Sequence, residues 1–196
     1  PYLLPCLIAS LLSTISFFFA VYKLPESHKP SKDVKVSLNP ISTIYNMGRD
    51  MKKVIKMPQI GRLIMIATMF SFGFTIMHAV FVLFTEHDLG FSEAQNGRVF
   101  AIIGINGMII QGALIGGLTK RYGSLNLMKL GTFTCGLGLV LVPYVSHQYI
   151  WITMGLVVML ISTGNALFQP SFSAILAQRT IDEGQEMGMV MGAQES

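Results

Sequence analysis

Polar side chains recur at helical spacing inside two otherwise apolar stretches of this sequence. In the first stretch, Thr68, Ser71, Thr75 and His78 fall at i, i+3, i+7 and i+10, which places them on one face of a helix. Polar groups that face lipid are costly, so this face is expected to point towards a bundle interior or a water-filled cavity. There, hydroxyl and imidazole groups would form hydrogen bonds to a solute or relay a proton.

The second stretch carries Ser162, Asn165, Gln169 and Ser173 at a similar spacing. The amides of Asn165 and Gln169 are large polar groups that need partners, so we expect them to donate hydrogen bonds to a solute and accept hydrogen bonds from it. The hydroxyls of Thr68, Ser71 and Ser162 have an alternative, because a serine or threonine can bond a carbonyl of its own helix.

Ionisable groups are scarce in the apolar stretches, and two of them are candidates for proton coupling. Histidine side chains can exchange protons under physiological conditions, which makes His78 one candidate, and Glu195 lies in an apolar segment that begins at residue 184. The alternatives are a packing role for His78 and a charge pair between Glu195 and a basic residue elsewhere. Phe74 and Phe81 lie on the side of His78 and would give a solute apolar surface. The His residues show no metal-ligand spacing, so we expect no metal and no cofactor.

Membrane-spanning helices must hold these side chains. Hydrophobic residues make up 52% of the sequence and charged residues only 12%, whereas a soluble domain carries about a quarter charged residues. A helix needs roughly 20 apolar residues to cross the hydrocarbon core of a bilayer. This composition excludes most soluble enzymes, nucleic-acid binders and secreted proteins, and it predicts an all-α polytopic membrane protein. The predicted spans are 1–22, 63–84, 99–118, 127–145 and 150–169, with a partial span over 184–196.

The loops between the spans alternate in charge. Basic residues dominate the first and third loops and Arg179 lies in the fifth, whereas loop 85–98 is mostly acidic and loop 146–149 has no Lys, Arg or acid. By the positive-inside rule, the basic loops are cytoplasmic. The net charge of +4 is therefore expected to serve orientation and lipid contact, not binding of nucleic acid. The predicted cytoplasmic loops are 23–62, 119–126 and 177–183.

The longest segment outside the spans, 23–62, contains a helix start of its own. Asn39 as N-cap and Pro40 at the first helical position predict an amphipathic helix over about 40–56. Its basic residues lie mostly beside the apolar face, so the helix is expected to lie flat on the cytoplasmic interface. It would orient the next span or bind a regulatory partner, and the sequence leaves both open.

Glycine positions distinguish one span from its neighbours. Gly104, Gly112 and Gly116 lie along one face of span 99–118 at multiples of four residues, a spacing that lets two helices approach closely. The apolar spans 1–22 and 127–145 contain only small polar residues apart from Lys129, and they are expected to be peripheral helices that face lipid. The predicted helix-packing residues are Gly104, Gly112, Gly184, Gly188 and Gly192.

A motif at the end of the glycine-bearing span carries a family resemblance. Residues 116–123 read Gly-Gly-Leu-Thr-Lys-Arg-Tyr-Gly, which resembles the G-x-L-x-D-R-x-G loop motif of the major facilitator superfamily in its second-half copy. Lys120 replaces the Asp of that motif, which leaves Arg121 to pair with an acid on a neighbouring helix. The matching residues of this gating motif are Gly116, Leu118, Arg121 and Gly123.

Further stretches are similar to drug:proton antiporters of the tetracycline-efflux type, among them residues 1–6, 24–27, 178–192 and the Asn39-Pro40 pair. The resemblance implies a fragment of a major-facilitator-type helix bundle, from about helix six to the start of helix eleven, truncated within its C-terminal half. In this family the seventh and tenth helices line a central cavity, and the two halves rock around a midplane site. Those are the spans that carry the polar faces.

The resemblance also implies a function, namely secondary active transport by alternating access, most specifically proton-coupled efflux of small amphipathic drugs, and no enzymatic activity. The expected partners are a small-molecule solute, the proton, the lipid bilayer of the plasma membrane, and the missing N-terminal half with its main coupling carboxylates. Two alternatives stay open: a metabolite or nutrient carrier of the same fold, as uniporter or symporter, and a non-transporting relative.

Overall fold

The structure, a computed structural model, describes residues 3–23, 57–145 and 147–183. The chain divides into two compact units, Pro1–Thr43 and Ile44–Ser196. In the first unit, helix α1 covers Leu3–Lys23. The predicted amphipathic helix over 40–56 and the predicted partial span over 184–196 lie outside the described residues.

The second unit is a bundle of apolar helices. Its helices are α2 (Ile60–His87), α3 (Glu93–Ile109), α4 (Ile115–Tyr122), α5 (Ser124–Leu141) and α6 (Ile150–Asp182). A π-helical turn, Ile110–Leu114, joins α3 to α4 within one continuous rod. Together with α1, the rods of the described chain make five helices that are long and apolar enough to cross a membrane. The predicted all-α polytopic architecture is confirmed.

The helices run beyond the apolar spans that the sequence predicted. Helix α6 has 33 residues and at 1.5 Å per residue is about 50 Å long, whereas the hydrocarbon core is about 30 Å thick. The segment 177–183, predicted as a loop, is helical as far as Asp182. The loop predicted over 119–126 shrinks to Gly123, because α4 and α5 continue on either side of it. Hydropathy marks the part of a helix that lipid covers, not its ends.

Local signals define the helix ends that the hydropathy missed. Ser92 and Gln95 form a reciprocal capping box at the start of α3, which satisfies amide groups that have no partner within the helix. Gly123, between α4 and α5, has a φ of 77°, a conformation that a side chain would strain.

Helix α6 is the centre of the second unit. It packs most extensively on α5, less on α3 and the π-helical turn, and less again on α2. Towards its end, Phe168, Phe172 and Leu176 pack with Ile60 and Ile64 of α2. Towards its start, Met154, Val157, Val158 and Ile161 form a second cluster with residues of α2, α3 and α5. Helices α2, α3 and α5 therefore each bury apolar residues against α6.

The α5–α6 contact brings the two backbones together. A Cβ atom placed on Gly164 would lie 2.4 Å from the backbone nitrogen of Cys135, and one on Gly131 would lie 2.7 Å from the carbonyl oxygen of Gly164. Gly138 is equally tight against Ile161. The predicted packing residues Gly104 and Gly112 have nothing within 4 Å of such a Cβ. Within the described chain, the close helix contact therefore lies at different glycines from those the sequence indicated.

Candidate functional site

The polar face predicted on α2 is open. Thr68, Ser71, Thr75 and His78 are all exposed, whereas the packed side of α2 is apolar apart from Thr85. The Thr68 hydroxyl donates to the Ile64 carbonyl oxygen at 2.9 Å, as the alternative for this residue predicted. The exposure of Ser71, Thr75 and His78 is compatible with a position beside a cavity. Their contact with a solute stays a prediction.

The polar residues predicted on α6 do not share one environment. Ser162 is buried, and its hydroxyl donates to the Ile103 carbonyl oxygen of α3 at 3.0 Å. The alternative in which Ser162 bonds its own helix is therefore wrong. Asn165 is half-buried, and its Oδ1 atom is buried without a hydrogen-bond partner. Gln169 is exposed and Ser173 is half-buried.

Asn106 on α3 is a functional candidate that the sequence reasoning missed. Its Nδ2 atom donates to Ser162 Oγ and to Thr163 Oγ1, each at 3.0 Å. Together with the bond from Ser162 to Ile103, this network, the α3–α6 polar clamp, fastens the two helices near their midpoints. The signal was available, because a large amide within an apolar span needs partners. The same argument holds for Asn165, which the sequence analysis names, and for Asn106, which it does not.

A series of aromatic rings runs from α6 to α2. The rings of Phe172 and Phe168 are stacked with centroids 5.8 Å apart. Phe168 stacks on Phe70 of α2 at 3.8 Å, and Phe70 stacks along its own helix on Phe74 at 6.1 Å. Ring contacts at such spacings add to the free energy of apolar burial. The α2–α6 contact therefore combines this ring stack with the aliphatic packing of Ile60 and Ile64.

The series continues from α2 to α3. The rings of Phe74 and His78 meet edge to face at 4.6 Å, and His78 stacks on Phe100 of α3 at 6.1 Å. Phe100 meets Phe81 edge to face, also at 6.1 Å. We call the whole set the ring series, and it joins α6, α2 and α3. Its members are Phe172, Phe168, Phe70, Phe74, His78, Phe100 and Phe81.

Exposure varies systematically along the ring series. Both ends are buried, with Phe168 and Phe172 at 1% exposure and Phe81 at 4%. In the middle, Phe70, Phe74 and Phe100 are half-buried and His78 is exposed. A small recess lies beside this middle part, and its lining includes His78, Phe81 and Phe100 with aliphatic residues of α3 and α6. Phe81, predicted to offer a solute apolar surface, lies in the core and is one of the residues that line this recess.

The gating motif occupies α4 and the turn after it. Leu118 packs with Ile115 against a buried cluster that includes Leu127 and Leu167. The Arg121 guanidinium carbon lies 5.4 Å from the centre of the adjacent Tyr122 ring, a cation–π distance. Gly116 is exposed, and Gly123 makes the turn described above. Glu195, Gly184, Gly188 and Gly192 lie outside the described residues.

Comparison with known proteins gives one family. The family described as Major Facilitator Superfamily matches residues 2–195. The chain is 24% identical to the Escherichia coli "Tetracycline resistance protein, class C" and 27% identical to the Bacillus subtilis "Multidrug resistance protein 2". Each alignment covers 96% of the chain and 45% of the relative.

A second type of relative matches a shorter stretch. The chain is 31% identical to "Dipeptide and tripeptide permease A" of Erwinia pyrifoliae over 54% of the chain and 21% of that protein. The chain thus spans less than half the length of the curated relatives that it matches. No solved structure gives a significant match.

Proposed function

The chain belongs to the Major Facilitator Superfamily, and on that basis we propose that it is part of a secondary transporter that carries a small solute by alternating access. The five membrane-length helices among the described residues, together with the family, make it an integral multi-pass membrane protein. In the proposed arrangement it supplies the C-terminal half, its partner is an N-terminal half, and it lies in the plasma membrane with 23–62, 119–126 and 177–183 on the cytoplasmic side.

The solute that we propose is a small amphipathic drug, exported in exchange for protons. The two relatives named for drug resistance align with 96% of the chain, whereas the named peptide permease aligns with 54%. The single structural observation that carries the proposal is the open middle of the ring series next to the polar face of α2. An aromatic wall beside hydroxyl and imidazole groups suits a solute with both apolar and polar parts.

Residue roles follow from this proposal. Thr75, His78, Phe74, Asn165 and Gln169 would contact the solute, and Phe81 would support Phe74 and His78 from the core. His78 and Glu195 remain the candidates for proton coupling, because an ionisable group at membrane depth is functional by default. The glycine face of α3 and the π-helical turn, Gly104 and Gly112, would meet helices outside the described residues.

A metabolite carrier of the same fold is the second candidate. The peptide permease is named for small peptides and is the most identical of the three relatives compared, at 31%. A carrier of that kind would use the amides of Asn165 and Gln169 to bond a polar solute and would depend less on aromatic rings.

Accumulation of fluorescent drugs in cells that express the intact protein tests the proposal. Expression should lower accumulation, and a protonophore should abolish the difference. The His78→Ala variant should weaken export, whereas Phe133→Ala, which removes an exposed ring of α5 away from the ring series, should not. Unchanged accumulation across chemically diverse drugs would refute drug export, and uptake of peptides or metabolites would then favour the second candidate.

A further inference from the structure

We propose that the open middle of the ring series is a stacking site for a flat, uncharged aromatic solute that carries an N–H or O–H donor on its edge. The inference rests on the proposed function and specifies its solute class. The site is formed by Phe70, Phe74 and His78 of α2, Phe100 of α3 and Asn165 of α6. It is built wholly from helices of this chain.

The ring surfaces provide the stacking. Phe70 and Phe74 lie within 9° of parallel, and His78 and Phe100 lie within 18° of parallel. These four rings keep part of their surface open, whereas the rings at both ends of the series are core residues. The two pairs meet edge to face at Phe74 and His78. A flat aromatic solute would therefore cover the exposed His78 ring and extend the His78–Phe100 pair, because aromatic rings favour offset stacked contacts.

The position of Asn165 follows from the helical repeat of α6. Ile161, Asn165, Phe168 and Phe172 fall at i, i+4, i+7 and i+11 and share one face. Ile161 lines the recess beside His78, and Phe168 stacks on Phe70. Asn165 therefore lies between these two levels, at the middle of the ring series.

The unsatisfied atom of Asn165 sets the polarity of the solute. Its Oδ1 atom is buried and has no hydrogen-bond partner, which is costly for a buried acceptor. A solute with an N–H or O–H group at its edge would satisfy this atom while its ring stacks. Specificity is then strong, because a solute without the donor leaves the amide oxygen unpaired.

The positions of the acidic residues favour an uncharged solute. The acidic residues that the structure describes in α2, α3 and α6 lie at or near the helix ends: Glu86, Glu93 and Asp182. The described membrane interior therefore offers a cation no carboxylate as counter-charge, and burial of an unpaired charge is unfavourable. The ring faces would attract a cation only weakly by comparison with a full ion pair.

Binding of three flat probes to the intact protein in lipid nanodiscs tests the site, with empty nanodiscs subtracted. Carbazole is uncharged and has an N–H donor, N-methylcarbazole lacks the donor, and N-methylacridinium carries a permanent charge. We expect carbazole to bind about tenfold more tightly than N-methylcarbazole, and N-methylacridinium to bind more weakly than carbazole. Equal affinities for the first two probes, or preference for the cation, would overturn the proposal without any variant being made.

Two variants and a control locate the site. Asn165→Leu, which keeps the approximate size of the side chain, should remove the preference for carbazole over N-methylcarbazole. Phe74→Leu should weaken both uncharged probes, and Phe133→Leu on α5 should change neither. An undiminished preference in Asn165→Leu would contradict the assignment of the acceptor. If carbazole binds selectively but the protein exports no drug, the proposed function is refuted and the site stands. If the protein exports drugs but does not prefer carbazole over N-methylcarbazole, the site alone is refuted.

Discussion

Helix α6 meets its neighbours in two different ways. On one side it lies against α5, where Gly131, Gly138 and Gly164 bring the backbones into contact and Cys135 is buried between them. On the other side it meets α2 and α3 through aromatic rings and through the α3–α6 polar clamp. The second contact also has the unpaired amide oxygen of Asn165 and open ring surface.

The difference separates a structural contact from a functional one. Backbone contact through glycine depends on exact spacing, since any added atom forces the helices apart. Ring contacts and hydroxyl–amide hydrogen bonds use the same kinds of interaction that a solute could offer in their place. We therefore expect α5 and α6 to move as one body, and solute-dependent changes to occur between α6 and the α2–α3 pair.

The largest expected effect on stability comes from Phe168, which contacts both α2 and α5. Phe168 is buried, stacks on Phe70, and has its backbone nitrogen against Gly131. Phe168→Ala should lower the free energy of unfolding by about 3–5 kcal/mol, seen as an early loss of monodisperse protein on heating in detergent. Phe133→Ala on the exposed face of α5 should change it by under about 0.5 kcal/mol. Similar melting curves for the two variants would show that the ring series does not hold α2 to α6.

A matched glycine pair on α5 tests the backbone contact. Gly131→Ala would place a Cβ 2.7 Å from the Gly164 carbonyl oxygen, whereas nothing lies within 4 Å of a Cβ on Gly136. The first substitution should destabilise the protein by about 1–3 kcal/mol, the usual cost of overpacking, and the second should leave stability almost unchanged. Thermal melting of both purified variants gives the comparison. Equal melting temperatures would remove the distinction drawn between the two sides of α6.

The polar clamp should have the smallest effect on stability. An interhelical hydrogen bond in a membrane protein contributes about 0.6 kcal/mol on average, so Asn106→Leu, which loses two of them, should destabilise the protein modestly. Its effect should be non-additive with the Ser162→Ala, Thr163→Val double variant, because both changes remove the same bonds. Thermal melting of the single, double and triple variants measures the coupling. Fully additive losses would mean that Asn106 acts through other contacts.

Much of the architecture was predictable because its causes are local. Apolar runs of membrane length and the polar face of α2 each depend on a short stretch of consecutive residues. The hydrogen-bond partners of serine and threonine could be predicted less reliably. Thr68 bonds its own helix as expected, but Ser162, which has the same chemistry, bonds α3 instead. Which carbonyl a hydroxyl finds depends on which helix lies beside it.

The candidate site shows the same division. The types of residue in it were foreseen, and Phe74, His78 and Asn165 were named from sequence. Their connection through Phe70, Phe100 and Phe168 was not foreseen, nor was the burial of Phe81. Ring-to-ring contacts across helices depend on the rotation of each helix about its axis, and periodicity within one helix carries no information on that rotation.

By itself, the sequence determined that this protein is a set of membrane-spanning helices with polar faces on two of them, because hydrophobicity and helical period act over short distances. Only the tertiary structure decided which glycines are used for contact and which polar groups find partners. Both the rod of α3 with the π-helical turn and helix α5 carry several glycines, yet of these only Gly131 and Gly138 of α5 lie against another helix within the described chain. Close packing requires two complementary surfaces, and one helix sequence describes only one of them.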